Sequence, residues 1–421
     1  MATIDSSYHS NTMLVDSEDT PPFASRLLSA DGDPLYSDDN VTGSCFGYPN
    51  VSEAHDFFLS MAAHIRAVGR GITLGEAESE LTHRNGKSSK GLIKYPIVIG
   101  QTYQGRNIRA LCLGWRCELG EDQESDPTVP QALFTGLHHA REPTSLGVLY
   151  YFIRDLVQKY VANDPATMLL LHSRQLWFIP IVNPDGYAAN CADMQGHMVR
   201  TNLRPACTRT HGNRGPGVDL NRNYPICFDR AIKDHSASTH PCVEDYQGTE
   251  PFSEPETAAI RDLTYRHNFT FAMNYHSYGK EITMPYGCKV LGKPQGLDYK
   301  IFIGLGDRIT ALNGFMYGVG WEKPLDLYTV SGAAQDWMYR DRGIYALMSE
   351  VGPLYKKGTP MKPSFWFVAC RLSWRIHTYM HQSGRVGQLL LTFVKTEGNG
   401  GEENTYLQPS SLIEKKLQQC T

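Results

Sequence analysis

The segment Gly136-Leu-His-His-Ala-Arg-Glu-Pro143 holds the one His-x-x-Glu of the chain, His139 and Glu142. Imidazole and carboxylate both suit zinc, and a short bent segment lets two such side chains converge on one ion. A surface loop with an ion pair would show the same four residues, so the spacing alone leaves both readings open. A catalytic zinc needs a third ligand and an open position for water. His276 fits as that ligand, because Phe271-Ala-Met-Asn-Tyr-His-Ser-Tyr278 reads as a strand running into a polar end. Glu350 closes Tyr345-Ala-Leu-Met-Ser-Glu-Val-Gly352 in the same way and offers a carboxylate for proton transfer. Two further stretches, Arg200-Thr-Asn-Leu-Arg-Pro205 and Val218-Asp-Leu-Asn-Arg-Asn223, bring guanidinium groups. Beside a metal these could grip a carboxylate bidentately or stabilise an oxyanion; in a solvated loop they would only make surface ion pairs. Asp219 suits the position behind a zinc-bound histidine, accepting its free N–H.

The elements that must position these groups can be read from periodicity. Tyr95–Gly100, Ile108–Gly114, Gln131–Thr135, Leu176–Val182, Phe269–Tyr275 and Ile344–Ser349 read as strands. Gln104-Gly-Arg-Asn107 reads as the turn between the first two strands, and Asn183-Pro-Asp-Gly186 as a turn after the fourth. Asn50 caps a helix whose apolar face is Val51, Ala54, Phe57, Phe58, Met61, Ala62 and Ile65. Further helices are expected over Thr144–Val161, from a Ser253/Glu256 capping box onward, and near Tyr299–Leu312. Strands alternating with helices predict an α/β sheet covered on both faces, with chemistry at the C-terminal strand edges. Residues 1–46 read as a loose arm, and residues 384–421 as a polar tail with a weak helix around Leu412–Leu417.

In this order along the chain, His139-Ala-Arg-Glu142, Asn183-Pro-Asp-Gly-Tyr187, Arg200-Thr-Asn-Leu-Arg204, Asp219-Leu-Asn-Arg-Asn223, His276-Ser-Tyr278, Tyr328-Thr-Val-Ser-Gly332, Asp336-Trp337 and Glu350 resemble the zinc metallocarboxypeptidases of the pancreatic carboxypeptidase A/B family. The resemblance covers residues 47–383 and implies a single three-layer α/β/α domain with a mixed, mostly parallel central sheet flanked by helices. It implies one Zn2+ held by His139, Glu142 and His276, with Glu350 as general base and Arg204 as the oxyanion-stabilising arginine. It further implies that Asn221 and Arg222 bind the substrate's terminal carboxylate, that Tyr328 closes over it, and that Arg141 and Tyr278 also contact substrate. Gln335 falls where the floor of the side-chain pocket is expected, with Gly287, Ala333 and Met348 as further wall positions. A neutral polar floor favours apolar or broad specificity, whereas Lys323, if it reached the pocket, would favour acidic ends. Cys207 and Cys242 resemble a family disulfide.

The implied activity is hydrolysis of the last peptide bond of peptides or proteins with a free C-terminus. Two alternatives carry over from this reading: a catalytically inactive peptide-binding relative, and a small-molecule amidohydrolase on the same scaffold. The composition bounds the partners. The 421 residues are 41% hydrophobic and 20% charged, an ordinary globular balance. The net charge of −4 argues against a nucleic-acid surface. The longest apolar runs are far short of the roughly 18 residues that suggest a membrane span. A monomer is expected. No basic start followed by an apolar stretch appears in residues 1–22, so no secretory signal is visible. The family resemblance and a possible Cys207–Cys242 bond lean instead toward a secreted protein, which leaves the compartment open.

Overall fold

In a computed structural model of the chain, the described residues are 43–45, 47–70, 76–77, 92–117, 129–193, 198–207, 217–228, 237–311 and 313–352. Among these described residues eight strands form one sheet: β1 (Ile93–Gln101), β2 (Asn107–Gly114), β3 (Gln131–Thr135), β4 (Gln175–Ile179), β5 (Phe269–His276), β6 (Glu281–Met284), β7 (Met316–Val319) and β8 (Tyr345–Glu350). Their order is β1-β2-β4-β3-β5-β8-β6-β7. The centre is parallel (β4, β3, β5 and β8), and β2 and β6 each join it antiparallel. The helices are α1 (Val51–Arg70), α2 (Pro143–Val161), α3 (Pro165–Leu171), α4 (Pro184–Ala192), α5 (Pro255–Arg266), α6 (Gly296–Thr310) and α7 (Ala334–Arg342).

The pleat sorts side chains into two cores, because successive residues of a strand face opposite sides. Phe134, Phe178 and Met273 pack with α1, α2 and α6 residues such as Phe57, Leu149 and Phe302. Leu133, Trp177 and Ala272 pack on the other face with Ile260 of α5 and Trp337 of α7. The result is the expected three-layer α/β/α arrangement. The central strands are buried on both faces, which explains why they read as continuous apolar runs rather than alternating ones.

Most expected elements lie within a few residues of their observed bounds. Asn50 does cap α1, its Oδ1 accepting from the N–H groups of Ser52 and Glu53 at 2.8 and 3.0 Å. Two local readings need correction. Asn183-Pro-Asp-Gly186 does not simply turn the chain: Asn183 is the N-cap of α4, with Pro184 in the first turn and the Gly186 N–H on its Oδ1. Its strand therefore ends at Ile179, not Val182. Ser253 and Glu256 form no capping box either, since α5 starts at Pro255 with Glu254 as N-cap. Ser253 Oγ instead bonds Glu254, while Glu256 is buried and accepts from Tyr103 N–H and Asn202. The short elements β6, β7, α3, α4 and α7 carry too few residues to show a period. The polar tail and nearly all of the N-terminal arm lie outside the described residues.

Candidate active site

Two chain segments, the connection from β3 to α2 and the end of β5, deliver the metal-type residues to the C-terminal end of the central strands. After β3 the backbone turns back on itself at Leu137 (φ 53°), a left-handed conformation that few non-glycine residues adopt. Asn183 N–H to Leu137 O, and Leu137 N–H to Ser145 Oγ, pin that turn at 3.0 and 2.9 Å. The chain then enters α2 through Glu142, the N-cap. Its side chain makes no capping bond to the helix and points into the site instead. From β5 comes His276, register partner of Glu350 in the parallel β5–β8 pair.

His139 Nδ1 lies 2.8 Å from Glu142 Oε1, and His276 Nδ1 lies 3.0 Å from Glu142 Oε2 and 3.0 Å from His139 Nδ1. All three residues are buried. On its far side His139 Nε2 is 3.0 Å from Asp219 Oδ1, whose carboxylate calls for an N–H there. The single proton of a neutral His139 is thus placed on Nε2, leaving the Nδ1 lone pair facing a carboxylate oxygen. One ligand atom from each of these three residues converges with the others, and two imidazole nitrogens with one carboxylate are a donor set that suits zinc, so the residues fit a metal ion. Burial alone would raise the carboxyls of Glu142 and Asp219, but the groups beside them outweigh it. His139 and His276 hold Glu142 well below the usual range, as Arg200, Arg222 and His139 do Asp219.

A cavity of about 460 Å³ opens beside this cluster. Glu350 lines it, and its carboxyl is pushed up to about 7 by burial first and by the neighbouring Glu142 second. Tyr278, Tyr328 and Gln335 also line it, as do two of the anticipated wall residues, Gly287 and Met348. Ala333 is buried away from it, and Lys323 is exposed to solvent. Tyr328 is 62% exposed at the mouth. Its loop is held close by Gly332 (φ 67°), where a Cβ would sit 2.0 Å from the Arg222 carbonyl oxygen.

The arginines divide differently from expectation. Arg204 turns away from the cavity, with Nη1 on buried Glu254 at 2.7 Å and its guanidinium over the Tyr103 ring. Arg200 lines the cavity, donating from Nε to Asp219 Oδ2 at 2.9 Å and approaching Glu142 at 3.5 Å. Burial works against its charge, but Asp219 and Glu142 more than compensate and keep it protonated. The segment is set by α4, since Asn183 Nδ2 donates to Thr201 O, Asn190 brackets Val199, and Ala140 N–H donates to Arg200 O. Arg141 also lines the cavity, its Nη1 shared between the two oxygens of Glu244 at 3.0 and 3.1 Å. Asn221 and Arg222, on a short 3-10 turn (Leu220–Arg222), are buried one layer behind the cavity. Asn221 Oδ1 accepts from Ala334 N–H at the start of α7, and Arg222 Nη1 donates to Asn221 O. Cys207 and Cys242 are bonded, and Cys45–Cys191, Cys112–Cys117 and Cys227–Cys288 are disulfides as well. One lining residue, Glu281, carries no signal in the sequence, because it sits in the short strand β6 with no motif around it.

Several known proteins are similar to this chain in sequence or in structure. Carboxypeptidase A6 of Homo sapiens is 28% identical over 289 residues, spanning 66% of this chain and 59% of that protein. Carboxypeptidase A4 of Mus musculus is 32% identical over 216 residues, 51% of this chain and 48% of that protein. Inactive metallocarboxypeptidase ECM14 of Saccharomyces cerevisiae is 27% identical over 276 residues, 63% and 60% respectively. The chain thus spans about half to three-fifths of the length of these relatives. Among solved structures, carboxypeptidase A from Helicoverpa armigera (20% identity, TM-score 0.58) covers 87% of this chain, which covers 80% of it. Thrombin-activatable fibrinolysis inhibitor (21% identity, TM-score 0.59) covers 89% of this chain and is covered to 80%. These last two bear on the fold alone. The zinc carboxypeptidase family profile matches residues 89–366, well over half of the sequence, and with His139, Glu142 and His276 placed to hold the ion, the chain belongs to the zinc carboxypeptidase family, of the A/B type.

Proposed function

We propose that this protein is a working zinc carboxypeptidase, an exopeptidase that hydrolyses the last peptide bond of peptides with a free C-terminus. The observation that carries the reading is the meeting of four groups at one cavity: the His139–Glu142–His276 cluster, the Glu350 carboxylate, the Arg200 guanidinium and the Arg141 guanidinium. Zinc, held by the two Nδ1 atoms and Glu142, would supply Lewis acidity toward the scissile carbonyl and toward water. Glu350 takes the proton of the attacking water and passes it to the leaving nitrogen. Its enclosed position keeps the carboxyl close to neutral pH, where it can serve in both directions. Arg200 offers N–H groups to the oxyanion, the role that the sequence resemblance assigns to Arg204. Asp219 fixes the His139 tautomer and anchors Arg200 with its second oxygen.

The terminal carboxylate meets positive charge at Arg141, with Tyr328 at the mouth. Arg222 lies one layer deeper and would have to turn from Asn221 O to share in that grip. A site that reads a free carboxylate cuts one residue from the end and has no hold on an amidated chain. A small-molecule amidohydrolase would not need that grip. The inactive-relative reading stays in view because some similar proteins are named inactive metallocarboxypeptidases. Four disulfides among the described residues fit an oxidising, secreted setting.

The test is release of the last residue from blocked dipeptides, with and without a zinc chelator, and with the C-terminal amide of each as control. Chelator-sensitive release from the free acids but not the amides supports the proposal. Release from neither, with zinc shown to be bound, assigns the protein to the peptide-binding class.

A further inference from the structure

The cavity has an uneven supply of charge. Its two arginines are engaged, Arg141 by Glu244, and Arg200 by Asp219 and Glu142. Glu142 in turn belongs to the metal cluster. Glu281 is different: it lines the cavity, is only 6% exposed, and has no hydrogen bond or cationic partner among the described residues. Sheet register explains its placement. Glu281 pairs with Glu350, and Thr283 with Met348, across the antiparallel β6–β8 ladder. Paired residues share a face, and so do residues two apart on one strand. Glu281, Thr283, Met348 and Glu350 therefore present a common surface, and all four line the cavity. Three more polar atoms on its wall are buried without a partner among the described residues, Ser277 Oγ, Thr283 Oγ1 and Gln335 Oε1.

Resting on the carboxypeptidase reading, we infer that Glu281, with Thr283 and Gln335, selects substrates whose C-terminal residue is lysine or arginine. Once a bound side chain displaces water from the cavity, these groups stay satisfied only if that side chain brings hydrogen-bond donors, and a buried carboxylate asks for a cation. An apolar side chain would strand all three groups, and an acidic one would add repulsion. Leu327, Val330 and Met348 offer the apolar surface that the methylene stem of a long cationic side chain needs. This narrows the apolar or broad preference that Gln335 alone suggested. Gln335 contributes an acceptor, and the charge comes from another strand.

The experiment compares kcat/KM on blocked dipeptides ending in Lys, Arg, Phe, Leu and Glu for the unaltered protein, Glu281→Gln and Glu281→Asp. The expected result is at least tenfold preference for Lys or Arg over Phe and Leu. Glu281→Gln should shrink that ratio at least tenfold, and Glu281→Asp should restore part of it. The ratio is the readout, because Glu281 neighbours Glu350 and its loss can change turnover on every peptide. A preference for Phe, Leu or Glu, or a ratio indifferent to Glu281→Gln, overturns the inference while leaving the carboxypeptidase reading intact. If no peptide is cut, the same dipeptides are titrated into the zinc-loaded protein. Lys binding at least tenfold tighter than Phe, lost in Glu281→Gln, supports the inference even as the catalytic reading fails; equal, weaker or absent binding overturns it.

Discussion

His139 Nε2 lies 3.0 Å from Asp219 Oδ1, and this one contact orders the site on two sides. Toward the metal it sends the Nδ1 lone pair of His139 inward. Toward substrate it leaves Asp219 Oδ2 free to take the Nε–H of Arg200 at 2.9 Å. Replacing Asp219 by Asn keeps the shape but removes the charge that both neighbours use. Zinc affinity should fall by about 10–100-fold, the usual effect of losing such a supporting carboxylate. Competition with a chromophoric chelator measures it, and an unchanged affinity would mean that the contact does not set the tautomer.

The two arginines of Arg200-Thr-Asn-Leu-Arg204 should respond to truncation in opposite ways. Arg200→Ala is expected to lower kcat by about 10²–10³-fold, the range for losing one oxyanion donor. Arg204→Ala should leave turnover within a few-fold and instead lower stability, since buried Glu254 loses its 2.7 Å partner. Glu254 keeps Asn202 Nδ2 and Ser253 Oγ as donors, so the loss is that of one charged hydrogen bond, about 1–3 kcal/mol. Steady-state kinetics and urea unfolding of both variants separate the roles. A turnover loss confined to Arg204→Ala would reverse the assignment.

That reversal of roles marks where the sequence stops being legible. Residues fixed by a strand end can be placed from the sequence, because a parallel strand delivers its last side chain to one edge: His276 and Glu350 are register partners there. Spacing selects His139 over His138, which is buried with Nε2 on the Tyr224 hydroxyl. Arg200 and Arg204 lie on an irregular segment whose course depends on α4, through Asn183 and Asn190. No local period encodes which of the two faces inward. Glu281 is hidden for a related reason. In a four-residue strand, alternation is too short to read, and the partner that gives the residue its meaning lies 69 positions later at Glu350.

Glu350→Gln tests the proposed role of Glu350 as the base. The amide is nearly isosteric but cannot accept the proton, so kcat should fall by about 10²–10⁴-fold. Bound zinc, measured by metal analysis, should stay at one ion per chain. On the proposed mechanism activity needs the ionised carboxyl, so it should rise with pH on the acidic side. Burial and Glu142 push that carboxyl up to about 7, and Glu281 adds to the shift. A cation beside Glu142 pulls the other way. Removing the Glu281 charge should therefore move the acidic limb of kcat/KM to lower pH, and a limb unmoved by Glu281→Gln would deny the coupling of the two carboxylates.

Asp336 predicts how stability varies with pH. It is buried at the start of α7, next to Gln335, and accepts the N–H groups of Gly287 and Cys288 at 3.0 and 3.2 Å. Burial pushes its carboxyl up to about 7, against the lowering effect of those two donors. In the unfolded chain an aspartate loses its proton near about 3.9. Between those values the folded protein holds a proton that the unfolded chain has released, so stability falls as pH rises. The contribution is fully present below about pH 4 and is lost as pH climbs through 7. Glu256, pushed up to about 7 mainly by burial, adds a slope of the same sign. Burial holds His55, His64, His138 and His267 below the ordinary histidine value, which adds slopes of the opposite sign. The readout is therefore the difference between variants: from about pH 5 to about 7.5 the urea midpoint of Asp336→Asn should rise relative to that of the unaltered protein, and that of Asp336→Asn combined with Glu256→Gln should rise further. An identical slope in Asp336→Asn would mean that the Gly287 and Cys288 N–H groups keep Asp336 ionised despite its burial. A fixed negative charge would then lie buried next to Gln335, one of the residues lining the cavity.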